Sequence, residues 1–178
     1  MRCSVCQGHT LKPIELEKGL IAASCSNCYG SLLSLISYRF WVDNHAEKMT
    51  SAINDEDILV EDSSSVRNCP KCSRLMSKYQ ICASSENRVD LCAGCDEVWL
   101  DQGEWELLKR LDISEKLTSF FTDAWQRQIR LDREAETLKA RYEKLIGEDD
   151  FARVSEFKYW LDQHPEKAGI KHYLNMSS

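Results

Sequence analysis

The chain has 178 residues, 43% of them hydrophobic and 29% charged, with a net charge of −6. That is soluble-protein composition, with room for one large domain or two to three small ones. The densest apolar run, Ser31 to Val42, is short and broken by Arg39, which excludes a membrane-spanning helix.

No apolar signal region follows Met1, so the expected location is the cytoplasm. In that reducing compartment nine cysteines read as metal ligands rather than disulfides. The first region, residues 1–45, opens with Cys3-Ser4-Val5-Cys6 and, after 18 residues, Cys25-Ser26-Asn27-Cys28. Each Cys-x-x-Cys turn offers two thiolates to one side of a zinc ion, and a second turn 15–20 residues on completes the tetrahedron. Lys12 to Leu16 and Leu20 to Ser24 flank Glu17-Lys18-Gly19 and read as a β-hairpin returning the chain between the turns. An apolar run from Leu32 to Val42 follows, capped by Ser34 as a helix. It is denser than one such module needs, which points to packing against the other module or the C-terminal helices.

Residues 46–68 are acidic and Ser-rich and read as a peripheral linker in which Ile58, Leu59 and Val60 dock as a short extended segment. Residues 46–66 set six acidic side chains against Lys48 alone, so much of the negative charge sits there. The second module, residues 69–112, repeats the first. Cys69-Pro70-Lys71-Cys72 is followed after 19 residues by Cys92-Ala93-Gly94-Cys95. Met76 to Cys82 and Arg88 to Cys92 form the expected hairpin. Asp101-Gln102-Gly103-Glu104 has the form of a capping box ahead of Leu107, Leu108 and Leu111. Cys82, the ninth cysteine, falls outside both quartets and reads as a small packing residue.

Residues 113–178 read as helical. One long helix is predicted from Ser114, as N-cap, to Ile146, with Gly147 as its stop. Apolar residues from Leu117 to Leu145 recur in steps of four and three. The stripe is wide up to Ile129, which suits a globular core, and narrow from Leu131 to Leu145, which suits one partner helix. Gln128, Ala135 and Tyr142 make poor seam residues for a dimer. The favoured partner is therefore the Phe151–Leu161 segment, folding back through Gly147-Glu148-Asp149 as an αα-hairpin. His164-Pro165 ends that segment, and a short helix closes the chain from Glu166 to Leu174. The fold class expected is α+β: two tandem zinc-ribbon hairpins, then a helical hairpin in a monomer or weak homodimer.

From Cys69-Pro70-Lys71-Cys72 through Leu91-Cys92-Ala93-Gly94-Cys95-Asp96-Glu97-Val98-Trp99-Leu100-Asp101-Gln102-Gly103-Glu104, the chain resembles the bacterial zinc-ribbon family named after general transcription factor IIB. The resemblance covers Cys69 to Leu108 and implies a zinc held by Cys69, Cys72, Cys92 and Cys95. It also implies that Trp99 and Leu100 are the ribbon's apolar contact with its helix, and that Asp101 and Glu104 are that helix's cap. The first module looks like a diverged copy, with Leu32-Leu33-Ser34 where the second has Trp99-Leu100-Asp101. Its ligands would be Cys3, Cys6, Cys25 and Cys28, making two Zn2+ per chain.

No catalytic constellation, phosphate loop or open metal site is visible in the sequence, so the chain is read as non-enzymatic. The favoured function is a cytosolic adaptor that binds another protein through its ribbons or helical tail. The alternative is a nucleic-acid-associated or transcription-related factor using Arg67, Lys71, Arg74, Lys78 and Arg88. No segment carries the large basic excess that phosphate binding favours.

Overall fold

The computed structural model describes residues 1–6, 8–45 and 65–176. Most of the acidic linker, including Ile58 to Val60, lies outside the described residues. Two compact units are present, residues 1–130 and residues 131–178. The architecture is α+β: six antiparallel strands with five α-helices and one 3-10 helix among the described residues.

Both hairpins form where the residue pattern places them. β1 (Lys12–Glu17) and β2 (Leu20–Ser24) turn at Gly19, whose φ of 84° no β-branched residue would tolerate. β4 (Ser77–Gln80) pairs with β5 (Arg88–Cys92) around the 83–87 loop. Each module also has a third strand that the pattern did not announce, β3 (Ser31–Ser34) and β6 (Glu97–Leu100). These two third strands pair with each other, matching Ser31 to Leu100, Leu32 to Trp99, Leu33 to Val98 and Ser34 to Glu97. Leu32 and Trp99 are the equivalent positions of the two modules, so the join has a local pseudo-two-fold. One sheet of order β1-β2-β3-β6-β5-β4 results.

The pleat sends alternate side chains of β3 and β6 to opposite faces. On one face Leu33, Val98 and Leu100 join Leu20, Val89, Trp105 and Leu108 in the main core. On the other, Leu32 and Trp99 join Cys3, Cys25, Cys69 and Cys92. Thus Leu100 meets the helix that follows it, whereas Trp99 does not make the helix contact the resemblance implies. It stands on the opposite face, among the cysteines.

Helix α1 (Leu35–His45) follows Ser34 and buries Leu35, Tyr38 and Trp41 against the main core, as the dense apolar run requires. The Trp41 indole N–H donates to Lys18 O at 3.1 Å, and its ring meets Trp105 edge-on at 6.0 Å. α2 (Glu104–Arg110) reaches back to the first module. Trp105 Nε1 donates to Glu17 Oε1 at 3.1 Å, and Lys109 Nζ lies 2.6 Å from the same oxygen.

The single helix predicted from Ser114 to Ile146 is two elements. A 3-10 helix, Ser114–Phe121, buries Leu117 and Phe120, and Tyr38 locks it: its hydroxyl donates to Ser114 O at 2.7 Å and accepts from Leu117 N at 3.1 Å. Thr122 then turns extended, and its Oγ1 accepts the N–H of Trp125 at 3.2 Å, capping α3 (Asp123–Ile146). Ser114 is therefore not the cap of the long helix; Thr122 is. The start of α3 also blunts the β4 edge. The Gln126 amide donates to Gln80 O at 2.8 Å, and Trp125 Nε1 donates to Ile81 O at 3.0 Å.

In the second unit, α3 ends at Ile146, α4 spans Glu148–Gln163 and α5 spans Lys167–Leu174. The αα-hairpin expected of α3 and α4 does not form: the two helices do not pack along each other, and Tyr142 on α3 and Val154 and Trp160 on α4 stay exposed. The intended Gly147-Glu148-Asp149 loop is absorbed into α4, leaving Gly147 alone between the helices. Its φ of 87° bends the chain, but a fold-back needs two to five residues. The seam stays open, with Leu138 51% and Leu145 73% exposed.

Gly30 shows how tightly the two modules close on each other. A Cβ there would lie 2.3 Å from Cζ2 of the fully buried Trp99 ring. Gly30→Ala is therefore expected to cost about 1–3 kcal/mol through overpacking. Gly94→Ala is the contrast: its Cβ meets the tip of the flexible Arg74 side chain, also at 2.3 Å, which swings away at little cost. Thermal unfolding of the two variants should separate them clearly; equal melting would refute the close packing at Gly30.

Candidate metal centre

Eight cysteines converge in two groups, Cys3/Cys6/Cys25/Cys28 and Cys69/Cys72/Cys92/Cys95. Within each group every Sγ lies within 4.8 Å of the others. Cys3 and Cys28 stand 3.6 Å apart, and Cys72 and Cys92 stand 3.5 Å apart. A tetrahedral ion with metal–sulfur bonds of about 2.3 Å requires sulfur–sulfur edges of roughly 3.8 Å. The donor sets fit a four-coordinate metal, and the two groups could hold two ions.

Local backbone geometry builds each group from equivalent parts. Tyr29 N donates to Cys25 O at 2.9 Å, and Cys25 N donates to Gly30 O at 2.9 Å. Ser73 N and Cys69 N repeat that pattern with Cys69 O and Arg74 O, both at 2.8 Å. The residue after the closing cysteine takes a left-handed conformation at Tyr29, Ser73 and Asp96, with φ between 53° and 62°. Non-glycine residues incur a steric penalty there. Backbone N–H groups within the Cys-x-x-Cys turns point at sulfur: Cys6 N donates to Cys3 Sγ at 3.2 Å, and Lys71 N to Cys69 Sγ at 3.4 Å. The Asn27 side-chain amide adds a bond to Cys6 Sγ at 3.1 Å.

The thiols in each group do not ionise alike. A backbone N–H bond from Arg74, aided by Cys95, lowers Cys72 to about 7. Cys25 also falls to about 7, where burial raises it but backbone bonds from Cys28 and Asn27 prevail. Cys95 is pushed up to about 12, first by its bond to Cys72 and then by burial. Burial likewise raises Cys3, Cys28 and Cys69. Crowded thiols resist sharing negative charge; a divalent cation removes that conflict, and its binding releases protons.

Cys82 joins neither group. It is half-buried at the margin of the main core, its Sγ 3.4 Å from Ser84 Oγ.

A charged cluster lies beside the second group. Arg67 is buried, its Nε 3.0 Å from Asp90 Oδ2 and its Nη2 2.8 Å from Asp101 Oδ2. Lys78 Nζ lies 3.0 Å from Asp90 Oδ2, and the Arg67 guanidinium sits 5.3 Å from the Trp99 ring centroid. Burial raises the Asp90 carboxyl despite Lys78 and Arg67. The Asp101 side chain serves Arg67 and the Trp99 indole N–H, which donates at 2.8 Å. The reach-back bond of the expected capping box is present, Glu104 Oε2 accepting the N–H of Asp101 at 2.7 Å, while the N-cap position of α2 is Gly103. Arg67 was not legible as a core residue, because it follows a polar linker and no spacing rule pairs it with Asp90.

The chain matches no family model, no curated protein and no solved structure. Among the described residues no helix is long and apolar enough to cross a membrane.

Proposed function

We propose that the protein is a non-catalytic adaptor whose two four-cysteine groups each hold a structural zinc and whose folded surface binds another protein. The observation that carries this reading is the closure of both sites. Four sulfurs within 4.8 Å of one another would complete the tetrahedron of a bound ion and leave it no position for water or substrate, which supports structural rather than catalytic zinc. The likeness of Cys69 to Leu108 to the zinc-ribbon family supports the choice of zinc. The surface supports a protein partner: Ile36 and Phe40, one turn apart on α1, are 68% and 70% exposed.

The nucleic-acid alternative is weakened by where the basic residues point. Arg67 and Lys78 are engaged with Asp90, and Lys71 Nζ lies 2.6 Å from Glu97 Oε1. Cations held by neighbouring carboxylates release few counterions from a phosphate backbone.

Elemental analysis should find two zinc ions per chain, and Cys82→Ser should leave that number unchanged. One zinc, or iron in its place, would defeat the reading. A salt-dependent mobility shift with single- or double-stranded nucleic acid would favour the alternative.

A further inference from the structure

The open face of α3 has the pattern of a short coiled-coil seam. Counting in heptads, Leu131, Leu138 and Leu145 occupy d positions and Gln128, Ala135 and Tyr142 occupy a positions. The seam from Gln128 to Leu145 runs for about 27 Å along the helix. All six seam residues are exposed, and even the large Tyr142 ring is 50% exposed. The helix that the residue pattern offered as its cover, α4, is separated from it by one residue and does not fold back along it.

The flanking charges identify the occupant. Position g carries Glu134 and Arg141, and position e carries Asp132 and Lys139. In an antiparallel pair, g faces g and e faces e. With Ala135 set against the partner's Leu138, Glu134 meets the partner's Arg141 and Asp132 meets the partner's Lys139, so these central flanking contacts join opposite charges. The same register places Tyr142 against the partner's Leu131 and Gln128 against the partner's Leu145. Each residue that is a poor match for its own copy in a parallel pair meets a leucine instead. The parallel alternative stacks Ala135 on Ala135 and Tyr142 on Tyr142, leaving a void in one layer and crowding in another. Asp132 also interacts within its own chain, so the Glu134–Arg141 pair is the cleaner of the two.

We propose that two copies of the chain associate through the Gln128–Leu145 face of α3, antiparallel, with Ala135 opposite the partner's Leu138. This surface shares no residue with the cysteine groups and does not depend on their metal or on the adaptor reading.

The test uses the full-length, zinc-loaded protein at micromolar concentration in size-exclusion chromatography with light scattering. The expected mass is that of a dimer. Leu138→Asp should give a monomer with unchanged zinc content and far-UV circular dichroism, since the residue is solvent-exposed in the single chain. Glu134→Arg alone should weaken association about tenfold, because it reverses two symmetric contacts. Combining it with Arg141→Glu should restore the parent affinity. A monomeric parent, with this face covered from within the chain, would overturn the proposal. So would a dimer indifferent to Leu138→Asp. Restoration by Lys139→Glu in place of Arg141→Glu would overturn the antiparallel register, because Glu134 faces Lys139 only in a parallel pair.

Discussion

Removing metal from the protein with a strong chelator is expected to unfold both modules together, in one transition. Structural zinc contributes about 10–16 kcal/mol to folding in small finger peptides. A domain of ordinary size is stable by only about 5–15 kcal/mol in all. The transition is expected to be single because the modules share a sheet and a core: β3 pairs with β6, and Trp99 packs among cysteines of both groups. Cys92→Ser should show the same coupling from one atom. Cys92 is buried at the end of β5, paired with Glu97 of β6. The variant should lose one zinc and lower the melting of the first module as well as the second. Elemental analysis with far-UV circular dichroism reads both effects. Two separate transitions, with the first module melting as in the parent, would show that the shared sheet does not couple them.

Replacing Arg67 by Met is expected to cost about 3–5 kcal/mol, because one partner of a buried ion network is removed while the carboxylates stay. Asp90, only 1% exposed, would keep Lys78 but lose its second cation, and Asp101 would lose the guanidinium 2.8 Å from its Oδ2. The melting temperature should fall by on the order of 10 °C. Arg67→Met combined with Asp90→Asn should recover part of the loss, since the buried carboxylate beside the methionine is then neutral. Zinc content should stay at two in both variants at room temperature. A single variant that melts like the parent would show that the network carries no net stability.

The features legible in the residues are the local ones. Cys-x-x-Cys spacing sets which sulfurs converge, because a four-residue turn and one hairpin bring them together. Gly19 and Gly147 mark chain reversals or stops through positive φ angles, and His164-Pro165 ends α4. Thr122 was legible in principle: Thr-Asp is a helix-start signal, but the unbroken apolar stripe through Phe121 and Ala124 concealed it. Leu32-Leu33 could not be assigned to a strand, since four residues carry too little periodicity to separate a strand from the first turn of a helix.

Residue order was enough to assign the two cysteine quartets, the hairpins between their halves and the helical character of the last third. It took the packed chain to establish that β3 meets β6, that Trp99 lies among the cysteines of both groups, that Arg67 is buried, and that α4 does not cover α3. Turns, caps and ligand spacings are set by neighbours within a few residues, so the chain encodes them locally. Strand edges, buried ion pairs and helix partners are chosen among distant surfaces that compete for burial. That competition is settled by packing: Gly30 leaves room for the Trp99 ring, and a one-residue bend at Gly147 leaves none for a fold-back.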